Sequence, residues 1–219
     1  MAKLNLAGAT SMADFEIIAA FPSVISVVHV SDDVSALWNE IENLEFQFNY
    51  DDAHLTYSST NMQILDTLPN IKKIMLDYFY KFKNDTLKLQ NTNFTITTSW
   101  ITKTETGGFC QPHCHRNSYY SAVFYKNDSF EGGNLHINDD AVKQESILIH
   151  PTEINILTSK NLIIQPQKNL LVFFPSTLKH NISKYYGKDT RYSLAFNLFP
   201  TGKIGESDSC VDFNNLNRY

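Results

Sequence analysis

The segment Pro112-His113-Cys114-His115-Arg116-Asn117-Ser118 holds two histidines one residue apart, just before an alternating run at 119–125. In a β-strand, residues i and i+2 point to the same face, so this spacing lets two imidazoles aim at one point. A third histidine, His180, closes the segment Phe173-Phe174-Pro175-Ser176-Thr177-Leu178-Lys179-His180, and Arg191-Tyr192-Ser193 follows eleven residues later. Neutral imidazole suits iron, zinc, copper and nickel. Three convergent ligands with open positions are the pattern of a catalytic metal site, because a structural site is usually closed by a fourth ligand. Arg191 and Ser193, two apart on a strand, share a face and offer a guanidinium and a hydroxyl to one carboxylate. An isolated His-x-His arises often by chance, and a buried Arg more commonly pairs with a protein carboxylate. The ordered combination is what lifts these residues above those plainer explanations.

The elements that must position them are legible from periodicity. A Val- and Ile-rich strand is expected over 21–30. Ser31-Asp32-Asp33 supplies N-cap chemistry for a helix over about 33–46, with Val34, Leu37, Trp38, Ile41 and Leu44 at helical spacing. Residues 46–57 are ambiguous. Ile64, Leu65, Leu68, Ile71, Ile74, Met75, Tyr78 and Phe79 form a second apolar stripe, a core-facing helix surface that Pro69 either starts or kinks. After Asn91 the chain turns to β-type runs: 94–102, 119–125, 134–138, 146–150, 153–158, 161–165, 169–174 and 191–199. Gly107-Gly108 and Gly132-Gly133 mark turns between them. Many short strands at near-regular spacing argue for an antiparallel sandwich or barrel. The helices are expected to buttress one sheet face, giving a single α+β domain over 1–219: a mainly helical portion at 1–90, a β core at 91–200 and a tail at 201–219.

Composition narrows the function classes. With 18 Lys and Arg against 23 Asp and Glu, the formal net charge is −5 and no basic block is present. Extended nucleic-acid binding through a broad positive surface is therefore not expected. Three cysteines, Cys110, Cys114 and Cys210, are too few and odd in number for a disulfide framework and suggest a reducing compartment. The apolar run at 17–30 contains Pro22 and is too short to span a bilayer. A cytoplasmic protein without membrane partners is expected.

The motifs, taken in order, are Trp100, Gly108, the 112–118 segment, Ser121-Ala122-Val123-Phe124-Tyr125, Gly133-Asn134-Leu135, Phe173-Phe174-Pro175-Ser176, His180 and Arg191-Tyr192-Ser193-Leu194-Ala195-Phe196-Asn197. This set, spread over roughly 95–200, resembles the iron(II)- and 2-oxoglutarate-dependent oxygenases. Within them it is similar to the short oxygenases common in phage and marine bacterial genomes, with a prolyl-hydroxylase-like pattern. The resemblance implies a double-stranded β-helix core of the jelly-roll or cupin-like kind. It implies Fe(II), 2-oxoglutarate and O2 as metal and cosubstrates, and hydroxylation of a C–H bond coupled to decarboxylation of 2-oxoglutarate to succinate. His113, His115 and His180 would be the metal ligands. Arg191 would hold the distal carboxylate of 2-oxoglutarate, with Tyr125 and Ser193 hydrogen-bonding to it. The substrate would be a peptide, at a prolyl or other amino-acid residue, or a small molecule.

One departure stands out. The family usually places Asp or Glu where this sequence has His115, so the expected site is more positive by one charge. A carboxylate from Glu131, Asp139 or Asp140 is an alternative source of the missing ligand; each is more simply a solvated loop residue. His29, His54 and His150 show no partner pattern, and His136 is more simply a satisfied or exposed histidine. Two other function classes compete: a cupin-like module that binds metal or carboxylate without turnover, and a three-histidine metal enzyme that does not use 2-oxoglutarate. A hydrolytic zinc site has no use for the Arg191-x-Ser193 pair. A Cys110/His113/Cys114 zinc cluster lacks a matching distal pair.

Overall fold

The computed structural model describes residues 10–12, 15–17, 22–49, 51–89, 92–129, 131–138, 152–153, 159 and 161–213. Along these the strands are β1 (Thr10–Met12), β2 (Phe15–Ile17), β3 (Ser26–His29), β4 (Phe46–Phe48), β5 (Thr56–Ser59), β6 (Asn93–Thr104), β7 (Cys110–His113), β8 (Tyr120–Tyr125), β9 (Leu135–Asn138), β10 (Asn161–Ile164), β11 (Leu170–Pro175), β12 (Lys179–Ile182), β13 (Arg191–Thr201), β14 (Lys203–Ile204) and β15 (Val211–Asp212). The α-helices are α1 (Ser35–Asn39) and α2 (Pro69–Phe82). Seven strands form one antiparallel sheet in the order β3-β11-β8-β13-β6-β5-β4, and four form a second in the order β10-β9-β12-β7. The strands expected at 146–150 and 153–158 fall outside the described residues, Glu153 excepted.

Strict alternation on the central strands of the larger sheet makes two separate cores. On β11, Leu171 and Phe173 point one way and Leu170, Val172 and Phe174 the other; on β8, Phe124 opposes Val123 and Tyr125. The first set, with Leu194, Phe196 and Leu198 of β13, meets Ile71, Met75, Phe79 and Phe82 of α2. The second set meets Leu135, Ile137 and Ile164 of the smaller sheet. The two sheets thus close over one another as a double-stranded β-helix, with helices covering the outside of the larger one. A period of two along each strand is what allows one sheet to serve both cores.

Pro69 starts α2 at its first position and does not kink it, since the missing amide hydrogen there has no helical partner to lose. Its apolar stripe faces the sheet, as the spacing predicts. The first helix is shorter than the expected 33–46: α1 gives way at Glu40 to a 3-10 turn, Glu40–Asn43. The ambiguous 46–57 stretch becomes β4, a turn stabilised by Asp51 accepting from Ala53 N, and the start of β5. The N-terminal portion, expected to be mainly helical, therefore contributes three strands to the larger sheet. Among the described residues, no helix is long and apolar enough to cross a membrane.

Phe79 is the hinge-pin of the outer core. Its ring is fully buried and lies 5.1 Å from Phe94, 5.4 Å from Phe173 and 5.8 Å from Tyr120. Phe79→Ala should cost about 3–5 kcal/mol of unfolding free energy, read from urea denaturation, with the midpoint shifted and the slope unchanged.

Candidate metal and carboxylate site

The three histidines come together at one end of the space between the sheets. Each offers a ring nitrogen, and these atoms all lie within 4.8 Å of one another. The ring centroids are 4.4 Å apart for His113 and His180, and 5.1 Å for His115 with either. His113 ends β7, and His180 sits directly opposite it on β12. His115 arrives differently from the expectation of two imidazoles on one strand. It lies beyond the end of β7, in a turn where its N–H donates to Ser176 O at 2.9 Å and Asn117 adopts φ +60°. Asn tolerates that left-handed conformation better than most side chains, and the chain can reverse there while the imidazole faces inward.

Two hydrogen bonds fix the ligand atoms. His113 Nδ1 donates to Gln111 O at 2.9 Å, and His180 Nδ1 donates to Leu178 O at 3.0 Å. A carbonyl can only accept, so Nδ1 carries a proton in both rings and Nε2 is the atom left to face a metal. Burial drives the basicity of two of the rings down: His115 falls to about 4, with the neighbouring His113 adding to the effect, and His180 to about 3. Neutral imidazole is the form that binds a metal. No described carboxylate joins the cluster. Glu131 is exposed, and Asp139 and Asp140 lie outside the described residues. Cys110 is buried with its thiol 3.7 Å from His113 Nδ1, whereas Cys114, between the two histidines, is exposed.

Deeper between the sheets lies Arg191, 2% exposed, at the start of β13. Its guanidinium carbon stands 5.1 Å from the centre of the Tyr125 ring. Ser193, also buried, pairs directly across β13 and β8 with Tyr125, so Arg191, Ser193 and Tyr125 share the inward face. Cys110 acts electrostatically on Arg191 as well as touching His113, which places both groups around one interior. Among the described residues no ion pair includes Arg191, and neither its Nε and Nη2 nor Tyr125 Oη has a hydrogen-bond partner. Desolvation lowers the guanidinium from its usual value, and burial pushes the Tyr125 hydroxyl up to about 12 against the pull of that guanidinium. A buried cation with idle donors is costly unless something anionic meets it. The structural salt bridge that would explain Arg191 away is absent among the described residues.

Residues 98–197 match the model of a protein family described as "Putative 2OG-Fe(II) oxygenase". Over that span, just under half of the chain, the sequence is similar to this family. Iron(II), 2-oxoglutarate and O2 are the metal and cosubstrates of such an oxygenase, and the donor set fits them: three imidazoles for the metal and, among the described residues, an orphaned buried guanidinium for a carboxylate. No curated protein matches the chain. Solved structures share the oxygenase fold at low identity. An oxidoreductase of the 2OG-Fe(II) oxygenase family from Burkholderia pseudomallei is 13% identical with a TM-score of 0.53, covering 80% of this chain and 83% of that one. HygX from Streptomyces hygroscopicus, with nickel, 2-oxoglutarate and hygromycin B bound, is 11% identical with a TM-score of 0.56 over 82% and 84%. A prolyl hydroxylase from Trichoplax adhaerens, in complex with a hypoxia inducible factor oxygen degradation domain peptide fragment, is 15% identical with a TM-score of 0.54 over 80% and 83%.

His113 and His115 open onto a cleft of about 380 Å³ whose other walls include Gln47, Asn49, Ser58, Thr98 and Trp100. Of these only Trp100, whose ring lies 5.6 Å from that of His115, was legible as a motif residue. The β4 and β5 contributions are invisible in sequence because they lie fifty residues upstream and reach the site only through strand pairing. His54 also proves to have partners, Asp51 and Gln111; the i, i+3 spacing of Asp51 and His54 was the available signal. His29 is exposed, His136 meets Asn161, and His150 lies outside the described residues.

The depressed histidines make the metal-free oxygenase acid-sensitive. The unfolded chain protonates His115 and His180 near 6.5, while the folded chain resists until about 4 and about 3. Protons therefore favour the unfolded state below pH 6.5, and stability falls as pH drops from there towards 4. Denaturation of the metal-free protein at stepped pH checks this, and a His115→Phe/His180→Phe double variant should show a flatter profile over the same window.

Proposed function

We propose that the chain is an iron(II)- and 2-oxoglutarate-dependent hydroxylase in which His113, His115 and His180 hold the metal. The observation that carries this reading is the buried Arg191 with donors unpartnered among the described residues, on an inward face shared with Tyr125 and Ser193. Iron(II) and 2-oxoglutarate, when bound, supply oxidative decarboxylation to succinate and CO2 with oxygen transfer to a substrate C–H bond. The chain's own residues bind and orient. Arg191 takes the distal carboxylate through two N–H donors, a geometry that suits a planar guanidinium better than an ammonium. Tyr125 stays protonated at neutral pH and donates its hydroxyl to the same carboxylate. Ser193, opposite Tyr125 in register, adds a third contact. Leu135, Ile137, Ile164 and Val172 surround this interior and exclude water, which strengthens each charged contact.

The substrate enters over the cleft. Gln47, Asn49, Ser58 and Thr98 are neutral hydrogen-bonding groups, and Phe48, Met62 and Trp100 supply apolar surface. That lining suits an uncharged group, such as a prolyl or another neutral amino-acid residue, more than an ionised one. A three-imidazole site could also serve chemistry without 2-oxoglutarate, but such chemistry leaves Arg191 without an anion.

Protein purified without oxygen, then given iron(II), 2-oxoglutarate and O2, should form succinate even without added substrate. No succinate, together with no 2-oxoglutarate effect on thermal stability, contradicts the assignment. His180→Ala should abolish iron binding. Arg191→Ala should weaken 2-oxoglutarate binding by about 30-fold or more, from the ~2 kcal/mol minimum for losing a buried charge partner, while sparing the metal. Unchanged cosubstrate affinity in Arg191→Ala would place the carboxylate elsewhere.

A further inference from the structure

His113 sits on a weakly secured strand. β7 is the edge of the four-stranded sheet, only four residues long, and its pairing with β12 shifts register between His180 and Ile182. Further support comes from the 3-10 turn Asp52–His54, which links β4 and β5 of the opposite sheet. Phe109 N donates to His54 O at 3.1 Å, Thr56 Oγ1 donates to Phe109 O at 3.0 Å, and the His54 and Phe109 rings are 4.6 Å apart. These contacts bring the two edges together just before β7 begins.

A side-chain relay continues from there. His54 Nδ1 donates to the Asp51 carboxylate at 2.5 Å. With its proton held on Nδ1, His54 presents a lone pair at Nε2, which accepts from the Gln111 amide nitrogen at 2.8 Å. The Gln111 carbonyl in turn accepts from His113 Nδ1 at 2.9 Å. Asp51 is largely exposed and Gln111 is exposed, so the stripe of apolar burial that shapes most of the fold does not account for their alignment.

We propose that Asp51, His54 and Gln111 are positioning residues: a latch, thrown from the larger sheet, that sets the Gln111 carbonyl under His113 and so fixes the tautomer and aim of that imidazole. The proposal rests on His113 being a metal ligand. Partners that orient a ligating histidine change metal affinity ~10–100-fold when removed. Because this latch acts through a backbone carbonyl that stays in the chain, the lower end of that range applies.

The test is a cobalt(II) titration of the full chain followed by visible absorption, whose band positions report ligand geometry. His54→Phe keeps the ring against Phe109 and removes both nitrogen contacts. Gln111→Met removes only the amide at an exposed position, and decides alone if His54→Phe does not fold. Each variant should bind cobalt about 10-fold more weakly with shifted bands, while thermal unfolding of metal-free Gln111→Met matches the parent. The double variant should be no worse than His54→Phe alone, as for members of one relay. Parental affinity and bands in both variants overturn the latch. His113→Ala is the control: if it retains cobalt with the parental spectrum, the metal-site reading itself fails.

Discussion

Arg191 is a guanidinium taken out of water and left without a carboxylate among the described residues. Removing an ion from water costs several kcal/mol even after relaxation, and a fold recovers this only by supplying an opposite charge or dipoles. Here the nearest polar company is the Tyr125 ring and hydroxyl, together with the electrostatic influence of Tyr185. Even the loop beside it is trimmed to fit: a side chain at Gly133 would bring its Cβ within 3.2 Å of Arg191 Cδ, at a backbone φ of +67° that disfavours any L residue. Packing this close around a cation with unpartnered donors supports the proposal that an anion from outside the chain meets it. In the proposed oxygenase that anion would be 2-oxoglutarate.

The same sheet that buries Arg191 also builds the hydrophobic core, and the two tasks do not compete because they use opposite faces. Leu194, Phe196 and Leu198 of β13 pack outward against the core beneath α2, while Arg191 and Ser193, just before them on the alternate positions, face inward. Polar order continues along that inward face. Ser121 bonds Ser176 and Asn197, Ser176 bonds Ser118, and Asn197 bonds Thr98 at the cleft wall. Each of these buried groups is satisfied by another, so the network is inexpensive to bury and rigid once formed. Ser176 O then receives His115 N. The turn that delivers the third imidazole is thus anchored to the strand end rather than to the strand that carries His113.

That difference explains which parts of the molecule were legible in the sequence. The period-two pattern of β8, β11 and β13 and the apolar stripe of α2 state their own burial, and both appear as expected. Arg191-x-Ser193 could be placed on one face because the strand is long and regular. His113-x-His115 could not be placed by the same rule, since β7 ends at His113, yet the convergence it suggested is present. What sequence spacing leaves dark is whatever depends on pairing between distant edges. The turn at 52–54 reaches β7, and β4 walls the cleft, only because a seven-stranded sheet carries both there.

With three imidazoles and no described carboxylate, the proposed metal centre would keep more positive charge than a site with an Asp or Glu ligand, and the cosubstrate's own carboxylates would be the main compensation. In that proposal metal, His115 and Arg191 act as parts of a single electrostatic arrangement. The most direct test is a crystal structure of the protein grown without oxygen in iron(II) and 2-oxoglutarate, with anomalous data collected at the iron edge. The account predicts one iron peak bonded to His113, His115 and His180, with the distal carboxylate of 2-oxoglutarate on Arg191 and Tyr125. An iron peak away from these histidines, or a cosubstrate whose carboxylates leave Arg191 unpaired, would contradict it.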